Sequence, residues 1–480
     1  MPNIQEQIRQ AIVARRTVNK VKRFFSILGP GFVTGASDDD PAGIATYSTA
    51  GAQFGLQLLY LAPLIFPLMV SIQEMSARIG VVTHKGIIRI FKEYYPPYVL
   101  WLVGLVTIPA IMVNVGSDLL AMGAVAHMLV PQIPVNVFSV VAAVAIVLSL
   151  VLFSYERVAS AMKWTACLLG VYLIVPFFVQ QDWLLVLKSA VTPHFQFDPT
   201  FIGTVGAVFG TTLSAYLFFW ESSMVVDDQE HKHGRLFKNP AAEIEDLMGE
   251  VKDMHKDNFF GMFVANILMF FIIWACGTTL FPKGITDINT VDQAAEALRP
   301  IAGEYAYLLF AIGILAAGFL AVPVLGGTCG YIAAEAFGCP RGMDKKFGEA
   351  KVFYLVIFFS ILISLAINFT GIGAVQALVF SAVVYGITVP PSIFYILDIC
   401  NNRTIMGRFT NNIWSNITGY TAFGIMSIAA VALIWTTFFV PQHPNSPLTM
   451  PPSPTSTTAP GTSGTSPAPT TAPNMPKSSP

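Results

Sequence analysis

Three consecutive aspartates, Asp38, Asp39 and Asp40, stand in the run GASDDDPAG at 35–43, directly before Pro41 and inside an otherwise apolar stretch. One aspartate at the centre of a membrane-spanning helix costs roughly 2.5 to 3.5 kcal/mol on insertion scales, so three cannot face lipid. Consecutive helical residues point about 100° apart, so one helical face cannot hold all three. Pro41 lacks a backbone donor and disfavours helical geometry in the residue before it, so the helix should break at Asp40. A break frees backbone carbonyls that can join a carboxylate around an ion. Neither 24–52 nor 200–225 contains Lys or Arg. A bound cation with water is therefore the natural compensation, and the acids alone leave monovalent or divalent open. Asp40, at the break itself, reads as the ion-binding carboxylate. Asp38 and Asp39 read either as part of that site or as the lining of an aqueous vestibule.

The elements that must position these acids are membrane spans. The chain is 54% hydrophobic and only 11% charged, with a mean hydropathy of +0.62, against roughly 25% charged in soluble domains. Eleven apolar stretches are each long enough to cross ~30 Å of hydrocarbon as a helix: 24–52, 56–78, 98–129, 135–154, 160–180, 200–225, 258–281, 303–336, 352–369, 373–397 and 414–440. With the N-terminus inside, every Lys and Arg except Lys188, Lys283, Arg299 and Lys477 falls on the cytoplasmic side, as positive-inside orientation requires. The tail then lies outside the cell. Residues 1–23 are expected to form a basic cytoplasmic arm without an evident signal peptide, and 24–440 the span domain. The loop at about 227–258 should hold a helical stretch from Ala241 to His255, and 441–480 is a Pro/Ser/Thr-rich segment that composition marks as disordered. The five cysteines show no CxxC spacing and read as small core residues.

The first ten spans divide into halves at about 24–180 and 200–397, with 414–440 as an extra helix. Spans 1 and 6 hold matching places, and both are interrupted: GASDDDPAG in one, GAVFGTTLSAY in the other. Matched interruptions point to an inverted-repeat carrier with its substrate site between unwound segments at mid-membrane. HExxH, GxSxG and Gly-rich phosphate-loop patterns do not occur, which argues against an enzyme.

The run LGPGFVTGASDDDPAGIATYSTAGAQFG resembles the first span of the Nramp family of divalent-metal transporters, in which GPGF leads into an Asp-Pro-Gly-Asn break. SIQEMSARIGVVTHKG resembles that family's second span, GSDLLAMGA its third and VFGTTLSAYLFFWESS its sixth. The resemblance runs from about 24 to 400 and implies an all-α, LeuT-type fold of eleven helices with inverted five-helix repeats. It also has departures. The family's asparagine ligand is Gly43 here, its sixth-span methionine is Ser214, and its histidine is Tyr216. A second histidine aligns with Glu221. Asp118 is kept in the third span, but the glutamate three residues on is Ala121.

Loss of the thioether leaves oxygen ligands, which suit hard cations, and small residues at 43, 211 and 214 widen the site for an ion that keeps its waters. Loss of the histidine and glutamate removes groups able to relay a proton near neutral pH. These departures resemble the Nramp-related magnesium transporters. The expectation is a carrier of Mg²⁺, also passing Mn²⁺, by alternating access and without proton coupling. The alternative is a proton-coupled Mn²⁺/Fe²⁺ carrier. Ser37, Thr211 and Ser214 are candidate direct or water-mediated ligands beside Asp40 and Gly43, and Gln376 in span 10 matches a polar position facing the family's site. Tyr216 reads as packing or as a water ligand, Glu221 as lining of the inner vestibule, and Asp118 as a remnant proton-path residue or a structural acceptor. We expect a monomer in the plasma membrane with a divalent ion as substrate, no cofactor and no nucleic-acid partner.

Overall fold

The computed structural model describes residues 29–152, 167–179, 182–233 and 240–439. The expected N-terminal arm, the first part of the fifth span and the Pro/Ser/Thr-rich tail lie outside these residues. Within them every regular element is helical. The first span is two helices, α1 (Pro30–Asp38) and α2 (Pro41–Phe54). Next come α3 (Leu61–Thr83), α4 (Ile87–Tyr94), α5 (Pro97–Leu129), α6 (Val135–Leu152) and α7 (Trp183–Val191). The sixth span is likewise divided, into α8 (Pro199–Thr212) and α9 (Ala215–His233), and α10 (Pro240–Thr279) follows. After two short helices, α11 (Val291–Ala295) and α12 (Arg299–Ala302), come α13 (Ala306–Phe337), α14 (Lys351–Ser364), α15 (Ala374–Asn401), the short α16 (Arg403–Met406) and α17 (Ile413–Phe439). Prolines open α1, α2, α5 and α8, where a missing N–H and a fixed φ suit the first helical turn.

Among the described residues, nine segments are long and apolar enough to cross a membrane. The α1/α2 pair forms the broken first span, and the described part of the fifth expected span consists of 3₁₀ turns at Cys167–Leu173 and Val175–Phe178. Two boundaries differ from the sequence reading. The second span starts later, because Gly55 turns the chain with φ +59°, and it continues to Thr83 through polar residues satisfied inside the protein. Gln73 Nε2 donates to the Leu217 carbonyl at 3.0 Å, Ser76 donates to the Phe218 carbonyl, and Arg78 pairs with Glu74 at 3.1 Å. The helical stretch expected at 241–255 is not separate. It is the first part of α10, whose 40 residues rise about 60 Å at 1.5 Å each. Met254 of this extension is buried with Ala77, Val81 and Val225, and Leu247 and Val251 pack against that cluster, which is what holds the extension helical beyond the apolar run.

Packing between spans follows the two-fold logic of inverted repeats. α10, the seventh span, lies along α1 and α2; its counterpart contact is α9, in the sixth span, along α3, the second. α5 and α13, the third and eighth, pack against each other. Small residues permit the closest crossings. A Cβ on Gly35 would strike the Gly261 backbone, one on Gly51 would strike the Ile273 carbonyl, and one on Gly210 would strike the backbone of Ala382 and Gly386. Glycine lets helices approach this closely where no hydrophobic force drives them together. Gly35→Leu should therefore destabilise the protein by at least about 1 to 3 kcal/mol, the usual cost of overpacking. Gly104→Ala, at a position with nothing within 4 Å, should be neutral or slightly stabilising. Thermal unfolding of both variants in detergent checks this pair.

Candidate cation site

The site is built on the break in the first span. α1 ends at Asp38, Asp39 occupies its C-cap, and Asp40 is the N-cap of α2 with extended geometry (φ −71°, ψ 169°). Asp40 Oδ1 accepts the Gly43 backbone N–H at 2.6 Å, the capping bond that satisfies a donor of the new helix and sets the carboxylate at its positive end. A side chain at position 43 would be tight, with its Cβ 3.1 Å from the Asp38 carbonyl and 3.4 Å from Asp40 Oδ1. The second break mirrors the first. α8 ends at Thr212, Leu213 is its C-cap, and α9 starts at Ala215. The C-terminal ends of α1 and α8 contribute partial negative charge, which favours a cation between them.

Asp40 is 2% exposed. Its Oδ2 accepts Asn114 Nδ2 of α5 at 2.8 Å, and the same amide reaches Asp118 Oδ2 at 3.4 Å. Both oxygens of Asp39, Oδ1 of Asp38 and Oδ1 of Asp118 are buried without a hydrogen-bond partner. Among the described residues no Lys, Arg or His forms a salt bridge with Asp38, Asp39, Asp40, Asp118 or Glu221. Nor do three His, Cys, Asp or Glu side chains converge as a preformed metal cluster among them. What meets at the break is one capped carboxylate, a second reached through the Asn114 amide, and the Ser37 carbonyl joined to Tyr216 of the other broken span. Such a donor set is hard and oxygen-only.

Hydrogen bonds connect Ser37, Gly43, Asp118 and Tyr216 to this break, while Thr211 and Ser214 stand at the second one. The Ser37 carbonyl accepts Tyr216 Oη at 3.0 Å, joining the two broken spans, and the Tyr216 ring packs 5.7 Å from Tyr385 of α15. Tyr216 thus both packs and bonds. Ser214 Oγ lies 3.0 Å from the Gly210 carbonyl and 2.6 Å from the Thr211 carbonyl, so its proton is engaged by the helix and it has lone pairs left to offer. Thr211 is buried beside it. Thr212 bonds the Tyr47 hydroxyl at 3.0 Å and the Met269 sulfur at 3.5 Å. Gln376, in the first turn of α15, is half-buried and makes no hydrogen bond to the break.

Asp38, Asp39 and Glu221 were expected to line a vestibule. Asp38, Asp39 and Glu221 are all enclosed in this conformation, because α10 packs over α1 and α3 over α9. Glu221 Oε2 is held by Gln73 Nε2. Sequence reasoning missed Asn114, Ser381 and Asp257. Ser381 Oγ bonds Asn114 Oδ1 at 2.8 Å. Asp257 of α10 caps the far end of α1, accepting Gly29 N at 2.8 Å, Gly31 N at 2.8 Å and Phe32 N at 3.1 Å. The available signal for Asn114 was an amide within the apolar run IPAIMVNVGSD, one turn before Asp118. Asp257 carried no such signal, since it stood among the charges of an expected loop.

Two broken helices crossing at a buried acid, within an all-helical membrane protein, define a LeuT-type carrier fold. Solved structures agree. The Eremococcus coleocola manganese transporter, in complex with an aromatic bis-isothiourea substituted compound, matches with a TM-score of 0.68 at 18% identity, covering 87% of each chain. MhsT in complex with L-phenylalanine matches with a TM-score of 0.54 at 13% identity, over 85% of this chain and 98% of that one. The family model described as natural resistance-associated macrophage protein-like, Nramp, matches residues 31–436, and the chain belongs to that family. It is 25% identical over 411 residues to the divalent metal cation transporter MntH of Vibrio campbellii (strain ATCC BAA-1116), covering 84% of this chain and 90% of that relative.

Asp257→Ala would strip three acceptor contacts from the first turn of α1. Leaving buried donors unsatisfied costs about 1 to 3 kcal/mol each, so the variant should show a clearly lowered unfolding temperature in detergent, with Asp257→Asn intermediate.

Proposed function

We propose that this protein carries divalent cations, Mg²⁺ and also Mn²⁺, by alternating access, binding a largely hydrated ion at the crossing of the two broken spans. The observation that carries the reading is the donor set around Asp40. It is buried, made of oxygens and free of basic partners, with Gly43, Ser214 and Tyr216 standing where the family pattern has asparagine, methionine and histidine. Hard oxygen donors hold Mg²⁺ as readily as Mn²⁺, whereas a thioether would favour the softer metals. Mg²⁺ dehydrates reluctantly and keeps waters that bridge to protein groups, which suits the unpartnered oxygens of Asp39 and Asp118. The relatives named as divalent metal cation and manganese transporters support the wider substrate class.

Transport runs without proton coupling, because Tyr216 and Ala121 replace the residues that would relay a proton. The driving force is the membrane potential, which contributes about 2.3 kcal/mol per charge per 100 mV, hence about 4.6 for a divalent ion. The protein works as a monomer in the plasma membrane with its N-terminus in the cytoplasm, where the basic residues concentrate. It is a carrier and not an enzyme.

Proteoliposome uptake with Mg²⁺- and Mn²⁺-sensitive dyes and a lumenal pH dye tests this. The expected outcome is saturable entry of both ions, no acidification, and loss of entry in Asp40→Ala. Manganese entry that acidifies the lumen and ignores millimolar Mg²⁺ would establish the proton-coupled alternative instead.

A further inference from the structure

Nothing in the family pattern at the first break supplies an amide ligand in this chain, since position 43 is glycine. Yet an amide is present at Asp40, delivered from another helix. Asn114 projects from the middle of α5, is 0% exposed, and sits between Asp40, Asp118 and Ser381. We propose that Asn114 is an ion ligand and selectivity residue, its side-chain carbonyl standing in for the asparagine missing at Gly43. The proposal rests on the cation-carrier reading.

The hydrogen bonds show how one amide serves two states. Nδ2 now donates to Asp40 Oδ2 at 2.8 Å, while Oδ1 accepts from Ser381 Oγ at 2.8 Å. This arrangement holds the carboxylate from α5. A cation arriving at Asp40 Oδ2 competes with the partly positive amide N–H. Rotation of the amide by about 180° exchanges Oδ1 and Nδ2 at nearly the same positions, since the two ends of the group are close to isosteric. The carbonyl oxygen then faces Asp40 and the ion. Nδ2 faces Ser381, whose hydroxyl can accept as well as donate. The Ser381 proton has somewhere else to go, because Oγ also lies 2.7 Å from the Leu378 carbonyl. The exchange keeps Ser381 Oγ paired, gives up the longer 3.4 Å amide contact to Asp118, and needs no backbone movement. The amide carbonyl is a hard oxygen, in keeping with Mg²⁺ and its water shell. Because Asn114 comes from α5 and Asp40 from the first span, the ion would join a helix outside the broken pair to the break.

The test separates a ligand from a residue that merely props Asp40. Asn114→Cys places a thiolate donor where the amide carbonyl would stand, and soft ligands select thiophilic metals. Uptake of Cd²⁺ and Mg²⁺ is measured in proteoliposomes, and binding of both ions by calorimetry on the detergent-solubilised full chain. If Asn114 reaches the ion, the Cd²⁺ to Mg²⁺ preference of the variant rises on the order of tenfold over wild type, within the 10–100-fold range that changes around a metal commonly produce. An unchanged preference, with both ions weakened equally or neither affected, overturns the proposal. If Asn114→Cys is not recovered folded, the near-isosteric Asn114→Asp decides by the sign of its effect. Tighter Mg²⁺ binding is expected from a new carboxylate on the ion, and weaker binding, from loss of the donor between Asp40 and Asp118, counts against it. Wild-type protein that carries neither Mg²⁺ nor Mn²⁺ would sink the carrier reading itself, an outcome distinct from an unchanged preference in the variants.

Discussion

A helix interrupted at mid-membrane frees backbone donors and acceptors at a depth where lipid satisfies none of them, and here the interruption also carries three carboxylates. The rest of the structure is arranged to make that tolerable. Asp40 uses one oxygen to cap the helix that follows, turning an acid into part of the backbone hydrogen-bond system. Tyr216 satisfies the Ser37 carbonyl from the second broken span, so each interruption supplies groups that the other needs. Oδ1 of Asp38, both oxygens of Asp39 and Oδ1 of Asp118 have no hydrogen-bond partner, and a cation with its waters is the compensation their burial calls for.

Holding two half-helices in place requires neighbours that come very close. α10 does this for the first span, through Gly261 against Gly35 along its length and through Asp257, which accepts three backbone N–H groups at the free end of α1. The same helix extends past the apolar run to pack on the ends of α3 and α9. It therefore ties the half-helix α1 to the polar end of the second span. On the other side of the break, α5 and α15 meet through Ser117, which bonds the Ala377 carbonyl at 2.9 Å, and through the Asn114–Ser381 pair. Asp40 is thus gripped from its own helix and from α5.

Membership of the Nramp family fixes the architecture, while the chemistry proposed here depends on the positions where this chain departs from the family pattern. The departures at Ser214, Tyr216, Glu221 and Ala121 each remove a soft or titratable group and leave an oxygen or a space, while the one at Gly43 removes an amide. The amide of Asn114 fits the same trend, being a hard donor that reaches the acid from a different element.

Much of this was legible in the sequence. Pro41 after Asp40 placed the first break where the structure has it, because proline acts on local backbone geometry and needs no tertiary context. The small residues from Gly210 to Ala215 marked the second break in the same way. Apolar run length located most spans, with error where polar residues such as Gln73, Glu74 and Arg78 remain helical because partners on other helices satisfy them. The enclosure of Glu221, the cap supplied by Asp257 and the amide of Asn114 beside Asp40 were not legible. Those contacts join residues separated by 148, 228 and 74 positions. The sequence by itself determined that the chain crosses the membrane, breaks twice and carries an uncompensated acid at the first break, since composition, proline chemistry and charge are local properties. Only the tertiary structure decided which side chains meet that acid, because the meeting depends on which helices pack side by side and how closely their glycines let them approach.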